Sequence, residues 1–334
     1  MAPADVASST NLRALIIGVT GGFGHAVAER LIARGWSVTA LHRDPARGRA
    51  ASPTMAIEWA KGDAMSAADV IAAAKGANAI FHAANPPGYR RWRELAIPML
   101  ASSIAAAKAS GARLIFPGNV YNFGPDAGTV VDETAPQHPR TRKGAVRVDM
   151  EKMLASAASD GVRSIVVRAG DFLASVPGSW LNDVIVKGRP VQSLAYPGKR
   201  DVGHSWAYLP DLAETIARIA EMERDLAPFE AFHFGGHWIE PGVDICEAVR
   251  RVTGRPDLPI RAFPWIAVYV GAPFVTLMRE LIEMRYLWQT PLRLDGAKLE
   301  RLLGKVPHTP LDEAVAATLR SMGAMPPASA SVPA

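Results

Sequence analysis

The sequence predicts an α/β protein, a doubly wound parallel sheet with a smaller C-terminal lobe. Three observations predict it. Short β-branched runs alternate with Ala-rich helical stretches through the first half of the chain. The first of these runs ends in a glycine-rich turn that opens a helix. After Arg168 the alternation decays, and Pro and Trp become frequent.

Ala14 to Gly18 reads as the first strand and His25 to Arg34 as its helix, with Gly35 placed to cap it. Ser37 to Leu41 is a second strand and Ile57 to Ala60 a short third. A helix over Asp69 to Ala74 precedes a fourth strand, Ala79 to His82. Pro98 to Ser110 forms a long helix, followed by a fifth strand at Arg113 to Phe116. A helix from Val146 to Ser159 leads to a sixth strand, Ser164 to Arg168. Units of this length connect by right-handed crossovers. The helix Asp211 to Met222 and the strand-like Ala231 to Phe234 rejoin the pattern. The expected division is therefore a nucleotide-binding domain over 11–171 with 201–236, and a helical lobe over 172–200 and 237–322. Residues 1–10 and 323–334 are expected to be disordered.

Composition narrows the classes. The chain has 334 residues, 49% hydrophobic and 21% charged, which suits a globular protein. Its net charge of +5 comes with scattered arginines and no basic run, so no nucleic-acid partner is expected. The single cysteine, Cys246, fits a reducing cytoplasm. The N-terminus carries no signal-peptide pattern. The most apolar stretch, Ala262 to Met278, is interrupted by Pro264, Gly271 and Pro273 and falls short of a spanning helix. It reads as a buried or lid-like segment, and no membrane partner is expected. No H-E-x-x-H, paired-cysteine or G-x-S-x-G pattern occurs, so neither a metal site nor a hydrolase is indicated.

The chemistry-bearing motif is Gly18-Val19-Thr20-Gly21-Gly22-Phe23-Gly24. Glycines allow the sharp turn and let backbone amides approach a pyrophosphate, which the helix N-terminus favours. With the strand before it and the helix after it, the motif predicts a Rossmann arrangement binding a dinucleotide. The second strand ends in His42, Arg43 and Asp44. A cation there suits a 2′-phosphate and an acid suits a ribose hydroxyl, so Arg43 favours NADP while Asp44 keeps NAD open.

These residues resemble the extended short-chain dehydrogenase/reductases, the epimerase/dehydratase group. Gly62-Asp63 resembles the family's adenine-contacting aspartate, and His82-Ala83-Ala84 its segment along the cofactor. Val120 to Gly124 resembles a stretched VYG, Tyr208 to Leu212 its YVxDLA, and Lys298 to Ala314 its C-terminal helix pair. The resemblance spans residues 12 to 320. It implies cofactor contacts from Gly18, Gly21, Gly22, Phe23, Gly24, His42, Arg43, Asp63, Ala83 and Ala84, and by analogy allows a homodimer.

The resemblance breaks at the catalytic residues. The family uses a Ser and a Tyr-x-x-x-Lys pair. No Lys here has a Tyr four residues before it. Alignment on Glu151 puts Lys143 at the Tyr position, Arg147 at the Lys position and Pro117 near the Ser position. One reading is an enzyme with substituted groups acting on a small polar or carbonyl substrate. Lys143 would be its acid/base, its pKa lowered by burial and by Arg142 and Arg147, as isoflavone-reductase-like relatives use a lysine. Tyr121, His204 and Tyr89 are the further candidates. The other reading is an NmrA-like sensor that binds dinucleotide without turnover. His233 reads as a core histidine, His25 as solvent-facing, and His138 and His237 as loop residues.

Overall fold

The computed structural model describes residues 12–86, 91–222 and 226–325. Tyr89 and the expected disordered N-terminus lie outside them, as does all but the first part of the expected tail. Seven parallel strands form the central sheet: β1 (Arg13–Ile17), β2 (Ser37–His42), β3 (Ile57–Lys61), β4 (Ala79–His82), β5 (Arg113–Asn119), β6 (Ser164–Ala169) and β7 (Phe229–Phe234). Their order is β7-β6-β5-β4-β1-β2-β3, the doubly wound arrangement that reverses direction at β1/β4.

The strand sequences follow from burial on both faces. In β1, Ala14 and Ile16 face one apolar layer and Leu15 and Ile17 the other, so the run is continuously apolar rather than alternating. The first layer is completed by α1 (Gly22–Ala33), α6 (Leu209–Glu221) and α10 (Ala297–Leu303) through Val27, Leu31, Leu212, Ile216 and Leu299. The opposite layer holds α3 (Ala67–Ala73), α4 (Trp92–Ser110) and α5 (Arg142–Ala157) through Val70, Leu100, Val146 and Leu154. Gly35 follows α1 with φ +83°, the left-handed conformation a helix end needs.

Three differences from the sequence expectation have physical causes. Helix α4 starts at Trp92, six residues before Pro98, because one missing amide inside a helix with a buried apolar face is tolerated. The short α2 (Pro45–Ala51) is an additional helix; Asp44 caps it by accepting from the amides of Ala46 and Arg47, and Pro45 occupies its first position. The lobe is not purely helical. It contains the sheet of Val186–Lys187, Ser193–Tyr196 and Ile260–Ala262, and that of Asp171–Leu173, His204–Tyr208 and His237–Ile239.

The lobe core is built on aromatic packing. Trp288 lies 5.0 Å from Trp180, 5.7 Å from Tyr196 and 5.9 Å from Trp206 between ring centroids. Trp206 and Trp288 are fully buried, so they hold the lobe together. Asp211 ties α6 to the C-terminal segment by accepting from the amide and hydroxyl of Thr309. The remaining lobe helices are α7 (Asp244–Thr253), α8 (Trp265–Gly271), α9 (Thr276–Met284) and α11 (Leu311–Ser321).

Candidate active site

The glycine loop sits at the switch point of the sheet and is shaped by close backbone approach. Gly18 has φ +95°, and a Cβ there would lie 2.7 Å from the Ala83 carbonyl carbon. A Cβ on Gly24 would drive into the Gly18 carbonyl, so Gly24 lets α1 press against the end of β1. Gly21 is different: its Cβ would meet only the Gly18 carbonyl oxygen, at 3.4 Å. Gly21 is also the N-cap of α1, and no side chain caps that helix. Its first-turn amides are therefore left without a side-chain partner.

A groove of about 340 Å³ runs along these strand ends, lined by Gly18, Gly21, His42, Arg43, Asp63, Ala83 and Ala84 among others. The structure thus brings together seven of the ten expected cofactor residues. Gly22, Phe23 and Gly24 do not line it. Gly22 lies under Val176, and Phe23 is buried and stacked on Phe172 with centroids 6.3 Å apart.

The groove shares Thr20, His42 and Arg43 with a second cavity of about 480 Å³, whose further lining includes Asp44 and Arg47. Asp44 caps α2 through one carboxylate oxygen, Oδ1, and its amide donates to Nδ1 of His42 at 3.0 Å. Arg43 and Arg47 supply the cations of the cavity. Arg47 was missed in the sequence, though the Asp-Pro start of a helix would have placed it one turn inside α2.

Of the residues at the catalytic positions Lys143 is buried, Arg147 and Pro117 are half-buried, and all three are engaged. Lys143, at the head of α5, extends its ammonium to Glu280 of α9, 2.8 Å from the carboxylate and 3.1 Å from the carbonyl oxygen. Its backbone amide donates to Glu283. Burial pushes its pKa down, opposed by Glu280 and Glu283; Arg142 lowers it further, and Arg147 is not among the causes. Arg147 donates to the Pro117 carbonyl at 3.0 Å and lies over the rings of Trp92 and Phe116. Tyr121 is half-buried on the turn after β5, its amide held by the Asn119 side chain.

His204 is buried, with Nε2 2.8 Å from Asp171 and Nδ1 3.2 Å from the Leu287 carbonyl; its ring stacks on Trp288 at 3.8 Å. Both ring nitrogens face acceptors. Glu151 pairs with Arg168 at 2.6 Å, Arg168 reaches Nε2 of His233, and Gln137 donates to Glu151, which makes a buried polar network behind the site. His233 is a core histidine as expected, its pKa lowered to about 4 by burial and then by Arg168. His237 is not a loop residue: it begins a strand, is buried, and burial lowers its pKa to about 4. At the end of β4, burial and then Arg147 lower His82 to about 3. Its Nδ1 lies 2.8 Å from the Ser103 hydroxyl. That hydroxyl donates to the Met99 carbonyl, so the neutral ring carries its proton on Nδ1.

A larger cavity of about 620 Å³ opens beside β7, between Gly235 to Trp238 and Arg293 to His308, and shares no residue with the glycine groove. Among the described residues, no group of three or more His, Cys, Asp or Glu side chains is arranged to hold a metal. No helix among them is long and apolar enough to cross a membrane.

Fold and groove together define a dinucleotide-binding α/β protein. Residues 14–235 match the model of the NAD dependent epimerase/dehydratase family, and the chain belongs to that family. The comparison with curated proteins gave no match. Among solved structures, UDP-N-acetylglucosamine 4-epimerase from Bacillus cereus is similar at TM-score 0.70 and 12% identity, covering 93% of this chain and 99% of that one. UDP-glucose-4-epimerase from Stenotrophomonas maltophila, solved with NAD and formylated UDP-arabinopyranose, has TM-score 0.71 and 17% identity, with coverage of 93% and 98%. The UDP-Glc/GlcNAc 4-epimerase from Campylobacter jejuni has TM-score 0.71 and 15% identity, with coverage of 93% and 99%.

Proposed function

We propose that this protein is an NADP-dependent enzyme of epimerase/dehydratase or oxidoreductase type, acting on a small polar or carbonyl substrate with a non-standard acid/base. The observation that carries the cofactor choice is the cavity at the end of β2. Arg43 and Arg47 line it beside a single acid, Asp44, whose Oδ1 accepts from the α2 amides of Ala46 and Arg47. The glycine cradle fits a dinucleotide on its own evidence: a Cβ at Gly18 or Gly24 would collide with backbone, and α1 opens at groove-lining Gly21 with no side-chain cap.

In this reading Gly18, Gly21 and the first turn of α1 hold the pyrophosphate. Asp63 lies at the adenine end, and Arg43 with Arg47 holds the 2′-phosphate. The bound nicotinamide supplies hydride exchange. Lys143 holds the proton at the head of α5; burial makes its ammonium a better acid, and Glu280 keeps a hydrogen bond to the nitrogen when the proton leaves. Tyr121 is the second candidate donor. His204, with both nitrogens engaged, is a positioning residue that ties Asp171 to the lobe. A sugar-nucleotide epimerase relative solved with NAD supports the dinucleotide class.

The test is cofactor titration of two variants. Arg43→Ala and Arg47→Ala should each weaken NADP binding about tenfold, the loss of one charge-assisted contact, and leave NAD binding unchanged. Equal loss for both cofactors would place the arginines outside the 2′-phosphate site.

A further inference from the structure

The apolar stretch expected to be buried or lid-like exposes much of its apolar surface. Six of the nine large apolar side chains exposed among the described residues lie between Ile266 and Leu277. Phe274 is 87% exposed, Ile266 83%, Val270 70% and Leu277 62%. They crown a hairpin of two short helices, α8 and α9, that turns at Ala272 to Val275.

The base of this hairpin is firmly held. The indole nitrogen of Trp265 donates to the Pro197 carbonyl at 2.7 Å. Arg285 lies over the rings of Trp265 and Tyr269 and donates to the Tyr269 hydroxyl at 2.8 Å. Glu280 is tied to Lys143. The hairpin is thus a rigid projection with an apolar crown, and such a crown is unfavourable in water unless something covers it.

Charge identifies the cover. No acidic residue occurs between Asp257 and Glu280, and exposed Arg261 and Arg279 stand at the two ends of that span. The two carboxylates of α9 are turned inward, Glu280 onto the Lys143 ammonium and Glu283 onto its backbone amide. The exposed side chains of this span are therefore aliphatic, aromatic or cationic, with no exposed acid among them. A bilayer interface containing anionic lipid accepts that combination: apolar side chains enter the acyl boundary and arginines meet the headgroups. A symmetric contact between two copies would bring a patch bearing only cations against itself.

We propose that the α8–α9 hairpin docks this protein on the surface of anionic membranes. Such docking needs no spanning segment, so it is consistent with the interrupted apolar stretch. It also places the surface contact on the helix that holds Lys143.

The test is co-sedimentation of the full-length protein with vesicles of phosphatidylcholine containing phosphatidylglycerol, against vesicles of phosphatidylcholine alone. The protein should sediment with the anionic vesicles and much less with the neutral ones, and added salt should weaken the association. Phe274→Ser should lower partitioning about tenfold, and Ile266→Asp with Phe274→Asp further still. Arg261→Glu with Arg279→Glu should lower it at least fivefold. Near-UV circular dichroism identifies the variants that keep the fold, and Phe274→Ser, at an 87% exposed position, keeps the test decisive if the double variants do not. Failure to sediment with anionic vesicles overturns the proposal, including when ultracentrifugation shows self-association through the same patch. Sedimentation that is indifferent to Phe274→Ser and to the arginine reversals overturns it too.

Discussion

Two glycines in one loop should fail in opposite ways when given side chains. Gly21 has φ −85° and ψ 154°, an extended conformation that β-branched residues adopt without strain. A Cβ there touches only the Gly18 carbonyl oxygen, at 3.4 Å, and otherwise enters the groove. Gly21→Val should therefore cost only about 1 kcal/mol of folding stability, the preference of an N-cap for glycine over valine. Its methyl groups would stand where the pyrophosphate must approach. Loss of one hydrogen bond to a charged group, about 1.5–3 kcal/mol, weakens dinucleotide binding by roughly ten- to 150-fold. Gly24→Ala is the converse. Its Cβ would collide with the Gly18 carbonyl and come within 3.1 Å of Val19 Cα, backbone atoms that cannot rotate away. It should cost about 1–3 kcal/mol of stability. Denaturant unfolding and calorimetric titration with NADP measure both quantities. Wild-type affinity in Gly21→Val, or wild-type stability in Gly24→Ala, would refute the assignment of roles within the loop.

Further outcomes follow from the buried charges. Lys143→Met should destabilise the protein by about 3 kcal/mol, because Glu280 loses its cation in a desolvated place. The double variant with Glu280→Gln should recover part of that loss, a coupling that a double-mutant cycle in urea measures. If Lys143 also moves the proton, Lys143→Met lowers kcat and leaves NADP affinity unchanged; loss confined to affinity would remove the acid/base role. Glu151→Gln should cost about 3 kcal/mol, since Arg168 is then left buried with a neutral partner. Stability should also fall on acidification. His82, His233 and His237 are held neutral, with pKa values of about 3, 4 and 4 against 6.5 unfolded. The unfolded chain therefore binds more protons below pH 6.5. Each histidine contributes a loss of up to about 1.4 kcal/mol per pH unit, down to about pH 4 for His233 and His237. His237→Leu should reduce that slope by about a third; an unchanged slope would count against its burial as the cause.

Much of the cofactor half was legible because backbone geometry dictates its residues. Gly18 and Gly24 answer a steric demand of the backbone, Gly21 leaves the groove open, and the predominantly apolar strands β1 and β6 answer burial on both faces. Helix α2 was missed because seven residues carry little periodicity, although its Asp-Pro cap was present. The catalytic half was less legible because its side chains find partners distant in the chain. Lys143 meets Glu280, His204 meets Asp171, and neither pairing has a spacing that marks it. The segment from Ala262 to Met278 reads from hydropathy as buried or lid-like; hydropathy records a preference for leaving water, and here the rest of the chain leaves much of it uncovered.

The NADP assignment stands on the two arginines, Arg43 and Arg47, that line the cavity at the end of β2. Calorimetric titration of the wild-type protein with NADP and with NAD, in the same buffer and salt, tests it most directly. NADP should bind at least tenfold tighter, with the difference shrinking as salt rises, because Arg43 and Arg47 would meet the additional phosphate through charge. Equal affinities, or tighter binding of NAD, would contradict it.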